Sequence, residues 1–501
     1  MPTLQRILTI FALTATAFTQ QPDLTLKGTI NGSQNNTYLG VPFEVPAGIE
    51  RLTVAFRYTG KEQRTTLDIG IEDPQRFRGW SGGNKSTFTI SATDATPSYL
   101  PGPVIAGTWK LLIGVPNIRP QSVASFEADI SFVRSAPNAR TQEFAEIPLR
   151  TEARWYRGDL HMHTAHSDGH CNSQNGKQVP CPLFLTLDAA ARRGLDFVAV
   201  TDHNTISHYD DLRELQPYFD RLLLIPGREV TTFEGHANVY GPTDFLDFRV
   251  GSPLLTDMDS LLHRARNMNA LFSINHPNAP SGEVCMGCGW RPKLADMGLV
   301  NAVEAVNGGA EEGPYSGVPF WEAQLGAGRR LTAIGGSDNH DAQLSFEKPG
   351  SVGSPTTVVY AKDLSVTGIL AGIRSGTVFV DLTASRDRML DFSGQNAGHK
   401  AAMGETLEAA QGTMVDLAVR AASCQGSVFR LLVDGRDDPA IPQTPITSAE
   451  QTYNAKWRSD GQRHWIRADV VSGAGKLQLL GNPIYINFPQ QSDEKNMRTS
   501  K

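Results

Sequence analysis

The chain has 501 residues, more than one ordinary domain holds, so two or three domains are expected. Its 46 Lys and Arg lie interspersed among 52 Asp and Glu for a formal net charge of −6, and it has no basic tract of the kind that carries nonspecific nucleic-acid binding. The 47 Gly and 30 Pro predict many turns, as in β-rich modules and loop-rich barrels.

In chain order, residues 1–20 read as a secretory signal peptide. Arg6 supplies the positive start, Ile7 to Ala17 is apolar or small, and Ala15-Thr16-Ala17 offers a small-x-small cleavage pattern. The alternative is a retained N-terminal anchor, but the apolar run is too short to span a bilayer. No later stretch is apolar for long enough to cross one. The mature protein is therefore expected to be exported, periplasmic or secreted, with no integral membrane segment.

Residues 21–145 alternate apolar and polar side chains over short runs, as in Leu52-Thr53-Val54-Ala55-Phe56 and Trp109-Lys110-Leu111-Leu112-Ile113. Turn residues separate these runs, which predicts an N-terminal β-sandwich. Ser135 to Glu152, with Pro137 and Pro148 and no steady period, reads as a linker. From 153 to 387 strand candidates alternate with helical stretches. Helix-like Leu183 to Arg193, closed by Gly194, leads to strand Asp196 to Val200, and strands Leu222 to Ile225 and Ala237 to Tyr240 follow. Helix-like Met258 to Met268 precedes strand Leu271 to Ile274; then come strand Val303 to Val306, helix-like Phe320 to Leu325, strand Leu331 to Ile334, strand Val358 to Tyr360 and helix-like Val366 to Ile373. So many β-then-α units predict a parallel sheet closed into a barrel. Residues 388–490 return to short strands and predict a C-terminal β-sandwich-like module, and the polar tail from Gln490 is expected to fray.

The chemistry sits in the middle segment. In Asp159-Leu160-His161-Met162-His163, alternation of side chains along an extended backbone puts both imidazoles on one face, and Asp168 can reach back to them. Such a mix of imidazole and carboxylate suits a divalent metal. Further polar residues end the later strands: Thr201-Asp202-His203, Gly227-Arg228-Glu229, His236 before Ala237, Asn275-His276-Pro277, and Ser337-Asp338-Asn339-His340. Each has a structural reading taken singly, as a cap, an ion pair or a hydrogen-bonded histidine. As a set at the C-terminal ends of barrel strands they would converge on one bowl.

Five cysteines fit an oxidising address. Cys171 and Cys181 bracket one loop, and Cys285 and Cys288 lie in another. Two disulfides or a structural zinc held by four thiols would both use them, with connectivity open. Cys424 is left over as a buried small residue. His166, His170, His208, His263, His399 and His464 are expected in solvent-facing or structural places, and Arg228 is expected to turn away from Glu229.

The ordered motifs Asp-Leu-His-Met-His-Thr with Ser-Asp-Gly, Thr-Asp-His-Asn-Thr, Gly-Arg-Glu-Val, Gly-His, Asn-His-Pro and Gly-Ser-Asp-Asn-His resemble those of the PHP (polymerase and histidinol phosphatase) superfamily. They are most similar to its exported CehA/McbA-type metallohydrolases, which also carry β-rich flanks. The resemblance covers about residues 155–385 and implies a distorted (β/α)7 barrel flanked by β modules. It implies two or three divalent ions, Zn, Mn or Fe. By the same resemblance His161, His163 and Asp338 would bind one ion. Glu229 would bridge it to a second held by His236 and His276, and Asp168, His203 and His340 would bind a third. Some relatives have His where Asp168 stands, and Asp there makes the third site harder.

The expected reaction is hydrolysis by a metal-activated water, with no Ser or Cys nucleophile. Glu229 would act in catalysis as an ionised bridge and Asp202 beside the ligands, while Asp202 and Asp159 could equally orient imidazoles or make turn contacts. The first expectation is a phosphatase or phosphodiesterase on a small-molecule ester. The alternatives are a carbamate or carboxylic-ester hydrolase, and a metal-stabilised exported protein whose β modules contact a glycan without catalysis.

Overall fold

A computed structural model of the chain describes residues 21–83, 85–134, 147–282, 285 and 287–489. They belong to two compact units, Met1–Ser135 and Ala136–Lys501. The signal-peptide segment, the 135–146 part of the linker and the polar tail lie outside the described residues.

The first unit contains β1 (Leu24–Asn31), β2 (Thr37–Val45), β3 (Ile49–Tyr58), β4 (Thr66–Glu72), β5 (Phe77–Gly82), β6 (Thr87–Ser91), β7 (Gly107–Asn117) and β8 (Val123–Arg134). They form two four-stranded antiparallel sheets, ordered β1-β8-β3-β6 and β2-β7-β4-β5. The period of two explains the layering: β3 buries Leu52, Val54 and Phe56, while β7 buries Trp109, Leu111 and Ile113. All six side chains meet in one core, so the sheets make a sandwich.

The second unit begins with β9 (Arg154–Asp159), a small hairpin of β10 (His170–Asn172) and β11 (Gln178–Pro180), α1 (Leu183–Arg193) and β12 (Phe197–Val200). There follow α2 (Tyr209–Leu215), β13 (Leu223–Thr231), β14 (His236–Tyr240), α3 (Met258–Asn267), β15 (Leu271–Ile274) and β16 (Ala302–Asn307). Then come α4 (Val318–Gly326), β17 (Thr332–Gly336), β18 (Thr356–Ala361), α5 (Val366–Ser375) and β19 (Val378–Asp381). Apolar periodicity accounts for α1, α3 and α5, whose buried faces recur at helical spacing. Leu187 and Ala190 of α1 are buried in one core with Tyr156 and Phe197, and the helix stops at Gly194, which takes φ 82°.

The sheet order is β17-β16-β15-β14-β13-β12-β9-β18-β19. Strands β9, β12 and β13 run parallel, as do β15, β16 and β17. Pairs β13–β14, β14–β15, β9–β18 and β18–β19 are antiparallel. The expected distorted (β/α)7 barrel is therefore not shown: the helices are too few for seven repeats. The physical reason is visible between β13 and β14. Residues 232–235 join them, too few for a crossover helix, so the strands must turn back on each other.

The expected separate module over 388–490 also takes a different form. Strand Leu477–Gly481 pairs with β19, Phe379 opposite Gly481, and the sheet continues through His464–Ser472 to Ser427–Val433. A second sheet, His399–Ala402, Met389–Asn396, Met414–Ala422 and Glu450–Arg458 in that order, closes over a core that includes Val358 and Phe379. The segment is β-rich as expected, but it is built into the same unit as the histidines. Among the described residues no helix is long and apolar enough to cross a membrane.

Candidate metal centre

The sheet brings every proposed ligand to one region. Glu229 stands at its centre, on β13, nearly fully buried. Its Oε1 lies 3.4 Å from His236 Nδ1 and 3.4 Å from His276 Nε2. Its Oε2 lies 3.4 Å from His161 Nε2, 3.6 Å from His163 Nε2 and 2.9 Å from His203 Nδ1. Five imidazoles thus face one carboxylate.

His161 and His163 lie just past β9, where the backbone is bridged to Asn339 by a 2.8 Å hydrogen bond from the His163 N–H. Their Nε2 atoms are 3.2 and 3.1 Å from Asp338 Oδ1. Asp168 Oδ1 is 3.6 Å from His203 Nε2 and 3.4 Å from His340 Nε2, at the exposed rim. Among the described residues, imidazole and carboxylate donor atoms close enough for a shared ion form three overlapping groups, beside a fourth that includes cysteines. These are His161, His163 and Glu229; Glu229, His236 and His276; and His163, Asp168, His203 and His340. His163 belongs to two of them, a sharing that one-residue-one-site reasoning misses. Asp338 and His276 both sit at positive φ, 51° and 27°, an uncommon backbone for non-glycine residues that concentrates at functional sites.

Several surrounding residues fix which nitrogen is free. Glu304, buried on β16, places Oε1 2.9 Å from His161 Nδ1. A carboxylate only accepts, so that nitrogen carries the proton and Nε2 is left bare. The Ser167 hydroxyl donates to Asp202 at 2.6 Å and lies 3.4 Å from His163 Nδ1, setting the same tautomer there. His340 Nδ1 donates to the Asp338 carbonyl at 2.8 Å, which again frees Nε2. Asn275 Nδ2 donates to Glu229 Oε1 at 2.9 Å, and Asn307 Nδ2 ties Glu304 Oε2 to Asp338 Oδ2 at 3.0 and 3.2 Å.

Sequence reasoning missed Glu304 and Asn307, and it named Asn275 only as the neighbour of His276. Glu304 had a usable signal: it is the single acid in the otherwise apolar strand core Ala302-Val303-Glu304-Ala305-Val306. Asp202, expected either beside the ligands in catalysis or in an orienting or turn contact, accepts from the Thr164 N–H and hydroxyl at 2.7 Å each and from Ser167, and so anchors the loop after His163. Asp159 accepts from the backbones of His161, Ser337 and Gly353, a positioning part. His208, expected at the surface, is fully buried, with Nε2 3.0 Å from the Gly227 carbonyl and Nδ1 3.7 Å from Asp202. Arg228 is turned away from the centre, donating to the Pro242 carbonyl at 3.3 Å.

Electrostatics and hydrogen bonding test whether cations belong here. Burial alone would push the Glu229 carboxyl up, but His161 and His203 override it and hold the group well below the usual range. Burial would likewise lower His161, yet Asp338, Glu304 and Glu229 raise it well above its ordinary value. His203, despite its burial, is lifted by Glu229 and Asp168 to about 10. The carboxylates thus make a strong field that favours positive charge among the imidazoles. His161 Nε2, which faces Glu229 and Asp338, is buried with no hydrogen-bond partner, an arrangement a protein seldom leaves unless the atom has another use. Imidazole and carboxylate donors, this orphaned nitrogen and a negative field together fit divalent ions.

The cysteines form two pairs with sulfurs at bonding distance, Cys171–Cys181 and Cys285–Cys288. The first closes the loop behind Asp168, and Cys424 is buried and unpaired. Among the described residues the four paired thiols do not gather at one point, so the four-thiol zinc alternative is not supported.

The fold and donor groups define a mixed α/β unit carrying overlapping His, Asp and Glu clusters suited to divalent metal ions. No family model matches the chain, and no curated protein matches it. Solved structures are similar to it. One, from Bacteroides vulgatus ATCC 8482, is a two-domain protein containing a predicted PHP-like metal-dependent phosphoesterase; it is 18% identical over 66% of this chain and 95% of that one, at a TM-score of 0.38. Another, a candidate metal-dependent phosphoesterase from Bifidobacterium adolescentis ATCC 15703, is 16% identical over 39% of this chain and 90% of that one, at a TM-score of 0.27.

Proposed function

We propose that this chain is an exported metal-dependent phosphoesterase that hydrolyses a small-molecule phosphate ester. The observation that carries the reading is the buried Glu229 carboxylate, whose two oxygens each face a different set of imidazoles. That is the arrangement of a bridging ligand between adjacent ions. His161, His163 and Asp338 would hold one ion, His236 and His276 a second, and Asp168, His203 and His340 a third. Divalent ions so held would supply a water acidified toward neutrality and positive charge for the substrate's oxygens.

The chain's own residues do the rest. Glu304, Ser167 and the Asp338 carbonyl keep the ligand nitrogens bare, and Asn275 fixes the rotation of the Glu229 carboxylate. The rim of Asp168, His203 and His340 is the solvent-facing side, so substrate enters there. Clustered positive charge favours an anionic phosphate over a neutral ester. The paired cysteines and the N-terminal segment support export.

The test is turnover by metal-loaded protein of nitrophenyl phosphate, its phosphodiester, naphthyl acetate and a naphthyl carbamate. Hydrolysis of phosphates alone is expected. Cleavage of only the acetate or carbamate would replace the phosphoester reading with the ester one. Full metal occupancy without turnover would remove the enzyme reading. His161→Ala and Glu229→Ala should each abolish hydrolysis while the first unit stays folded, and wild-type rates in either would overturn the assignment.

A further inference from the structure

The loop bearing Cys285 and Cys288 leans on the metal centre without being used by it. Cys288 Sγ lies 4.0 Å from His236 Nδ1, the nitrogen that also faces Glu229 Oε1 at 3.4 Å. Donor atoms of Cys285, Cys288 and His236 all lie within 4.8 Å of one another. Gly287 makes this approach possible. It takes φ 84°, and a Cβ there would run into the Thr232 carbonyl and come within 3.3 Å of His236 Nε2. We propose that Cys285 and Cys288, once reduced, form with His236 a thiolate–imidazole site for a thiophilic divalent ion such as zinc, so that the redox state of the pair decides which ion His236 serves.

The chemistry favours this use. Cys-x-x-Cys is a recurring spacing for thiolate ligation, and two sulfurs with one imidazole suit zinc better than the harder ions a carboxylate-rich site takes. Cys285 is half-buried and Cys288 buried, so an external dithiol meets Cys285 first. Its thiolate attacks that sulfur, the S–S bond breaks, and the Cys288 sulfur leaves as thiolate. The dithiol's second sulfur then closes on the first, releasing Cys285. Two electrons pass to the cysteines, and the dithiol departs as its disulfide. The ion then displaces any protons that the cysteine sulfurs carry. A single lone pair on His236 Nδ1 serves one ion at a time, so ligation beside the sulfurs withdraws it from Glu229 and His276. A small-molecule disulfide restores it: a protein thiolate attacks it and releases one thiol, the second cysteine thiolate closes the Cys285–Cys288 bond and releases the other, and the two electrons leave with those thiols.

Cobalt-loaded full-length protein tests the site by a readout independent of hydrolysis. Reduction with a phosphine, which takes oxygen from water and leaves two thiols, should bring up a near-ultraviolet thiolate-to-cobalt charge-transfer band that the oxidised protein lacks. The band should vanish in reduced Cys285→Ser/Cys288→Ser protein and persist in reduced Cys171→Ser/Cys181→Ser protein. The oxidised-to-reduced comparison needs no variant and so does not depend on one folding. No band in reduced wild type, a band surviving in the first variant, or a pair that resists the phosphine would each overturn the proposal. A band without phosphatase turnover keeps this site and removes the hydrolase reading; turnover without the band does the reverse.

Discussion

Glu304→Gln is the most informative single change, because it keeps the shape of the side chain and removes only its charge. In the wild type Oε2 accepts from the His276 N–H at 3.1 Å and from Asn307 Nδ2 at 3.0 Å, while Oε1 accepts from His161 Nδ1 at 2.9 Å. A glutamine has one acceptor oxygen for these two sides. Two donors meet Oε2, so the amide oxygen stays there and the NH2 turns to His161. Facing a donor, His161 Nδ1 must give up its proton, and the tautomer inverts. The hydrogen then sits on Nε2, the nitrogen that points at Glu229 and Asp338. Losing a hydrogen bond to a charged partner costs about 1.5–3 kcal/mol. A 10- to 100-fold loss of metal affinity, typical for such supporting groups, corresponds to about 1.4–2.8 kcal/mol. The two routes agree. Chelator-competition titration with zinc should therefore show one ion bound 10- to 100-fold more weakly, and the metal-free variant should melt at a lower temperature while still unfolding cooperatively. Wild-type affinity in the folded variant would refute the tautomer argument.

Further outcomes follow from the same geometry. Gly336→Ala should mimic Glu304→Gln, because a Cβ there would collide with the Glu304 carboxylate and the His161 Cβ; equal metal affinity in variant and wild type would contradict the packing. Burial pushes the Cys424 thiol up to about 11, so a thiol reagent at pH 8 should find no fast-reacting group in the oxidised native protein and one per chain after unfolding. Burial lowers His208, which is neutral in the fold, whereas in the unfolded chain it protonates near 6.5. Proton uptake then favours the unfolded state as pH falls below 6.5, costing up to about 1.4 kcal/mol per pH unit. A His208→Gln variant should show a shallower loss of stability than wild type over that window in denaturant titrations, and identical slopes would assign the effect elsewhere.

The helices were the most legible elements. Leu183–Arg193 is found at the bounds its pattern and Gly194 predict, because apolar spacing and a left-handed cap are local signals. Strand Leu271–Ile274 is equally plain, a short β-rich apolar run between polar neighbours. The hairpin of His170–Asn172 with Gln178–Pro180 and helix Tyr209–Leu215 were not legible, since neither has enough apolar periodicity.

What the sequence determined by itself was the chemical kind of the centre: imidazoles and carboxylates at strand ends of one segment, in an order that resembles a family of metallohydrolases. Side-chain chemistry is local, and turn-rich strand ends can be recognised without knowing their neighbours. The tertiary structure alone decided how strands of the second unit pair, that Leu477–Gly481 extends its sheet, that His163 serves two groups, and that Glu304 stands behind His161. Those facts depend on contacts between residues far apart in the chain. Hydrogen-bond pairing and close packing select such contacts only when the whole unit is assembled.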